Sequence, residues 1–120
     1  MTIPNSQSSL ECWIDWLLHL HSKEIDFGLD RIRLVVESMQ LFRPAPLVIS
    51  VAGTNGKGSS VAMLVSILKA AGCRVGAYTS PHIQHFNERI QINGHPVSDE
   101  QITHAFVQIE TARGNTKLTY

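Results

Sequence analysis

The sequence predicts an α/β fold: a doubly wound, mostly parallel sheet with a P-loop, incomplete and preceded by two N-terminal helices. Three observations carry the core of that prediction. Residues 47–52 (LVISVA) are nearly all apolar with three β-branched members, as in a strand buried on both faces of a parallel sheet. Residues 53–59 (GTNGKGS) interrupt the strand, and residues 60–71 (SVAMLVSILKAA) are rich in helix formers. Residues 74–79 (RVGAYT) then read as a second strand. Strand, glycine-rich turn, helix and strand make one βαβ unit, whose crossover is expected to be right-handed.

The flanking elements follow from periodicity and punctuation. Residues 10–21 place Trp13, Leu17 and Leu20 at spacings of three and four, with Leu18 beside them, which predicts an amphipathic helix with those residues in the core. A second helix is expected over residues 28–40 through Leu29, Ile32, Val35, Val36 and Met39, and the RPAP run at 43–46 ends it. Gly72 stands where a helix C-terminal cap belongs. Beyond the second strand, residues 89–92 alternate polar and apolar, and Asn93-Gly94 is a strong turn dipeptide, so a hairpin or tight turn is expected. Ser98 and Gln101 have capping-box spacing, with Asp99 and Glu100 where the helix dipole favours anions. That helix is expected to run to about Ala112 and stop at Arg113-Gly114. Only two strands of the parallel type and one more polar strand are found, fewer than a doubly wound sheet usually has.

Composition narrows the functional class. Ten Lys+Arg balance ten Asp+Glu, so nothing electrostatic points to nucleic acid or an anionic membrane as partner. With 43% hydrophobic and 17% charged residues, a packed core is favoured over intrinsic disorder. No apolar run reaches the ~20 residues of a bilayer span. The N-terminal MTIPNSQSSL lacks a signal peptide's basic start and apolar stretch, so a cytoplasmic address is expected. Cys12 and Cys73 have no metal spacing and read as reduced, packed thiols without a disulfide.

The chemistry is concentrated in GTNGKGS. Gly53, Gly56 and Gly58 allow a tight turn and close approach to an anion, and amides of the first helical turn can point at phosphate oxygens. Lys57 adds a point charge for the terminal phosphates. The standard Walker pattern would require glycine at position 51, where Val51 stands, and a hydroxyl directly after the lysine, where Gly58 stands. Another oxygen must therefore hold Mg2+, with Ser59 and Ser80 as candidates, the latter because ligands of open α/β sheets gather at the carboxyl ends of strands.

His82 and His85 have HxxH spacing but no third ligand, and read as solvent or substrate contacts rather than a zinc pair. Glu88 and Arg89 precede the alternating strand and read as a solvated salt-bridging edge, with Arg89 also a candidate for shaping a substrate loop. Pro81 restricts Ser80 to an extended conformation, which would fix a ligand there.

Four segments in order carry a family resemblance: IDFGLDR (25–31), GTNGKGS (53–59), YTSPH (78–82) and NERIQING (87–94). Together they resemble the N-terminal part of the folylpolyglutamate synthase family, in particular bacterial members that are also dihydrofolate synthases, within the wider Mur-ligase-like ATP-dependent amide ligases. The resemblance implies that ATP phosphorylates a carboxylate of dihydropteroate or a folate and that the amine of L-glutamate attacks the acylphosphate, giving an amide, ADP and phosphate. It implies an ATP loop at Thr54, Asn55, Gly56, Lys57, Gly58 and Ser59, with Lys57 catalytic, and Ser80 as magnesium ligand. Asp26, Phe27, Gly28 and Leu29 match a pterin-side DLGL segment, with Phe27 in place of leucine, and Thr119 and Tyr120 match the start of a second substrate segment.

The family's remaining metal ligands, its modified lysine and its C-terminal domain have no counterpart in these residues. Residues 1–120 are thus expected to be the N-terminal part of the ATP-binding domain, with the C-terminal glutamate-ligase domain absent and no turnover alone. The whole enzyme is expected to be a monomer with small-molecule substrates only. Two other readings stay open at this point: a cell-wall Mur-type amino-acid ligase, against which the TSPH and NERI segments argue, and a non-catalytic nucleotide-binding module.

Overall fold

A computed structural model describes residues 2–20 and 28–120. The chain divides into two compact units, one of Met1–Pro46 with Asp99–Tyr120 and the other of Leu47–Ser98.

The first unit is helical. Helix α1 spans Leu10–His19, α2 Asp30–Ser38 and α4 Asp99–Arg113, with α4 lying against both others. Ser9 starts α1 by accepting the Cys12 N–H on its Oγ at 3.3 Å, which satisfies one of the donors a helix start leaves open. The core is aromatic. Leu10, Trp13 and Trp16 from α1, Val35 from α2 and Ile102 from α4 are buried, and Trp13 is only 1% exposed. Its ring meets Trp16 edge-on at 5.7 Å and Phe106 of α4 at 5.7 Å, geometries that add to simple burial. Of the expected α1 face, Trp13 is fully enclosed and Leu17 and Leu20 are half-buried, while Leu18 is exposed and Trp16 takes its place. On α2 only Val35 is buried, with Val36 and Met39 half-buried and Leu29 and Ile32 exposed.

Helix α2 ends before the proline run. Gln40 takes a left-handed conformation (φ 56°) and donates to the Glu37 carbonyl, while Leu41 reaches back to Val36, a Schellman ending built without glycine. At the far end of α4, Arg113 is held by both oxygens of Glu110, with Nη2 to Oε1 at 2.6 Å, and stands 5.6 Å over the Trp16 ring. Its Nη1 donates to the Thr116 carbonyl at 3.0 Å, tying the last residues to the helix end.

The second unit contains α3 (Lys57–Ala70), strand β1 (Gly76–Tyr78), a 3-10 turn at Phe86–Arg89, and strands β2 (Ile90–Ile92) and β3 (His95–Pro96). Gly72 closes α3 with φ 83°, donating to Lys69 while Cys73 donates to Leu68, the glycine ending its position predicts. Asn93 and Gly94 both have positive φ (52° and 80°), as a tight β2–β3 hairpin demands. The sheet order is β1-β2-β3 with both pairings antiparallel.

The α/β class holds, but the expected parallel pair is not among the described pairings. Residues 47–52 form no strand, and Leu47, Val48 and Ile49 are exposed, Leu47 by 71%. An apolar strand of a parallel sheet is held by strands on its flanks, and the strand nearest along the chain, β1, pairs with β2 instead. The thiols also differ from expectation: Cys12 and Cys73 are free, as predicted, but both are exposed rather than packed, each on a solvent-facing part of its unit. Among the described residues, no helix is long and apolar enough to cross a membrane.

Candidate functional site

The glycine-rich loop is shaped by its backbone. Gly56 is the residue before α3 and sits in the left-handed region (φ 76°, ψ 8°), which glycine alone adopts at no steric cost. No side chain caps the helix, so the first-turn N–H groups of Lys57, Gly58 and Ser59 have no side-chain cap to satisfy them. This is the end at which an anion gains from both open donors and the helix dipole. A Cβ at Gly56 or Gly58 would meet nothing within 4 Å, so the space over these two residues is open to a ligand. Residues 53–60 are all exposed. The Lys57 ammonium folds back and donates to the Gly53 carbonyl.

Ser80 stands one residue beyond the end of β1, after Thr79, and is exposed. The Ser80–Pro81 peptide is cis. A lone hydroxyl is a hard oxygen donor suited to Mg2+, which keeps most of its shell as water and substrate phosphate oxygens and needs few protein ligands. No cluster of three or more His, Cys, Asp or Glu that could hold a metal occurs among the described residues. The donor chemistry therefore fits a nucleotide-borne magnesium ion and not a tightly caged one.

The loop between β1 and β2 contains groups that motif reading did not single out. Glu88 accepts three consecutive backbone N–H groups, from Ile83 at 3.2 Å, Gln84 at 2.7 Å and His85 at 2.6 Å. These bonds, His85 and Gln84 foremost, hold its carboxyl below the ordinary carboxylate range. The His85 side chain completes a capping box by accepting from the Glu88 N–H. The signal was present as a polar residue three positions before a glutamate, with His standing where Ser or Thr is usual.

Arg89 donates from Nε to His82 Nδ1 at 2.8 Å and lies 5.4 Å from the Phe86 ring centroid. His82 in turn meets Phe86 at 5.8 Å, so its ring is engaged within the loop and the HxxH pair is not arranged as a metal site. The loop base is closed by the Thr79 N–H donating to the Arg89 carbonyl at 2.8 Å, and Asn87 Nδ2 donates to the Val97 carbonyl at 2.8 Å.

The remaining candidates lie in the helical unit. Asp26 and Phe27 fall outside the described residues. Gly28 and Leu29 precede α2, and the Leu29 side chain is 67% exposed. Thr119 and Tyr120 are exposed beyond the Arg113 anchor. The structure thus gathers the loop residues and Ser80 in one unit, and Gly28, Leu29, Thr119 and Tyr120 in the other.

No protein-family model matches the chain. Curated relatives do: it is 46% identical over 117 residues to the dihydrofolate synthase/folylpolyglutamate synthase of Escherichia coli, covering 98% of this chain and 28% of that protein. The enzyme of the same name from Haemophilus influenzae is 44% identical over 113 residues, covering 94% of this chain and 26% of that protein. Among solved structures, the Yersinia pestis bifunctional folylpolyglutamate synthase/dihydrofolate synthase complexed with AMPPNP and Mn ion aligns with TM-score 0.95 at 46% identity, covering 99% of this chain and 29% of the other. A structure of a bifunctional enzyme of that name with Mn, AMPPNP and L-glutamate bound aligns at 0.93 and 45%, over 99% and 29%. The Escherichia coli enzyme in complex with DHPP and ADP aligns at 0.93 and 46%, over 98% and 28%. The chain therefore spans between a quarter and a third of the length of the proteins it matches, and over that span it shares their sequence and their fold.

Proposed function

We propose that this chain, which matches the dihydrofolate synthase/folylpolyglutamate synthases in sequence and fold over nearly all its residues, supplies the nucleotide-binding front of an ATP-dependent ligase of that kind. The reaction joins L-glutamate to a carboxylate of dihydropteroate or a folate through an acylphosphate. What supports it above all is the uncapped, glycine-opened start of α3 with Lys57 at its head. The names of the aligned structures add the ligands: AMPPNP, Mn and L-glutamate in one, DHPP and ADP in another.

In this reading the amides of Thr54, Asn55, Gly56, Lys57, Gly58 and Ser59 surround the phosphates, and Lys57 neutralises charge that develops as the terminal phosphoryl group leaves. Ser80 would hold Mg2+, which when bound would offset the charge of the phosphates. Phosphoryl transfer asks for position and charge neutralisation more than covalent help, and these groups supply both. Asp26, Phe27, Gly28, Leu29, Thr119 and Tyr120 form the pterin side. Residues 1–120 are the N-terminal part of the ATP-binding domain, and the C-terminal glutamate-ligase domain corresponds to the part of the relatives that this chain does not match. The enzyme works as a monomer in the cytoplasm on small molecules, without nucleic acid or membrane.

The test is ADP formation by the full-length protein. Product that requires dihydropteroate or a folate together with L-glutamate, and that collapses in Lys57→Ala and Ser80→Ala, is the expected result. ADP formation driven instead by a nucleotide-sugar peptide and an amino acid would replace the folate reading with the cell-wall one. Nucleotide binding without any acceptor-dependent turnover would leave a binding module.

A further inference from the structure

Among the described residues beyond the loop and Ser80, a dense set of contacts surrounds Glu88. A glutamate accepting three successive backbone N–H groups does locally what a turn of helix would do. The segment it organises, residues 83–85, lies between Ser80 and the 3-10 turn, and Ile83 is 90% exposed. An apolar residue that exposed is not held by burial, so its backbone needs another anchor. The other restraints flank the same segment: the Thr79–Arg89 bond closes the base, and Arg89 holds His82 against Phe86.

We propose that Glu88 is a positioning residue, whose carboxylate fixes the backbone of residues 83–85 and so holds Ser80, between that cage and the Thr79–Arg89 bond, in the conformation that receives the metal. This inference rests on the reading of Ser80 as metal ligand. Glu88 touches neither metal nor substrate in this role; it acts through the loop, as outer partners of metal ligands generally do. Glutamate suits the task because two oxygens accept three bonds, whereas glutamine would present one acceptor and two donors to the same N–H groups.

The test is a cycle of Glu88→Ala, Ser80→Ala and the double variant in the full-length protein. Mn2+ affinity in the presence of AMPPNP is read by spin-resonance titration, and amide exchange is read at Ile83, Gln84 and His85. Glu88→Ala is expected to weaken Mn2+ binding about 10-fold or more, to speed exchange at those amides, and to add nothing once Ser80 is already alanine. Glu88→Gln, which keeps the size and one acceptor, is expected to lie between wild type and alanine and covers the case of a poorly folding Glu88→Ala.

Losses that multiply in the double variant would overturn the inference, since Glu88 would then act apart from Ser80. Mn2+ affinity unchanged in both Glu88 variants, with Ser80→Ala still impaired, would overturn it while leaving the metal assignment intact. Ser80→Ala without effect would remove the metal assignment itself, and the inference with it.

Discussion

The two units of this chain are held together by different physics. The helical unit buries a tryptophan pair, with Trp13, Trp16 and Phe106 in contact and Arg113 closing over Trp16. The unit of residues 47–98 has one buried apolar residue, Val97, and leaves Met63 and Ile67 of α3 as well as Leu47 exposed. What organises it is hydrogen bonding: two antiparallel pairings, the Glu88 cage and the reciprocal bonds between Val75 and Asn93 at 2.9 and 2.7 Å. The lesson is that the unit carrying the proposed chemistry spends little apolar surface on its own stability. Its loops are set by polar geometry, and those are the parts a charged ligand can address.

That contrast can be broken at several points. The largest effect is expected at Trp13: truncation to alanine should cost about 3–5 kcal/mol of stability, read as a lower urea midpoint, because the cavity forms among three packed rings. A loss below about 1 kcal/mol would mean that the aromatic cluster is not the core of its unit. On the other side, Lys57→Ala should weaken AMPPNP binding by roughly 10- to 100-fold, the worth of a hydrogen bond to a charged group, while the unfolding midpoint stays put. A shift of that midpoint as large as at Trp13 would erase the distinction between the two units.

A third effect belongs to Glu110. Its alanine variant strips both carboxylate oxygens from a guanidinium whose side chain is only 14% exposed, and about 1.5–3 kcal/mol should be lost. The Thr116 tether should loosen with it, seen as faster amide exchange at that residue. The smallest effect is a pH dependence confined to the loop. Because the folded carboxyl of Glu88 titrates below its ordinary value of 4.5, the order it gives to residues 83–85 is complete above that value. It is lost only as pH falls through the lowered value. The protection of the Ile83, Gln84 and His85 amides relative to their unstructured exchange rates, followed from neutral to acid pH, should fall in that range, and an onset above 4.5 would contradict the geometry.

Much of this organisation is written in short-range chemistry, and those parts were legible. Gly72 and Asn93-Gly94 each impose a backbone constraint by themselves, and each element ends or turns where they stand, whereas α2 stops at Ser38 on the left-handed Gln40 before the proline run is reached. The glycine loop was legible for the same reason, since Gly56 must supply the left-handed step into α3. The apolar run at 47–52 was not decided locally: its pattern states that it suits a buried strand, but pairing depends on partners elsewhere in the chain. Trp16 was overlooked although it stands three residues after Trp13 and four before Leu20, on the face that the same spacing defines. Glu88 reads in sequence as a solvated edge residue, because three bonds to backbone donors have no residue-type signature beyond a His85-to-Glu88 spacing. Asp26 and Phe27 lie outside the described residues, so the pterin-side segment is seen only from Gly28 onward.

The bond from Lys57 to the Gly53 carbonyl makes the loop its own competitor. Before any phosphate arrives, the one cation at its head is already occupied, and an incoming anion must displace an internal acceptor instead of meeting a bare charge. Measured affinity is then a difference between two occupants of a single ammonium. On the proposed reading, a triphosphate, with several oxygens offered at once, would replace that carbonyl, and the Gly53 carbonyl would be freed as the loop amides engage.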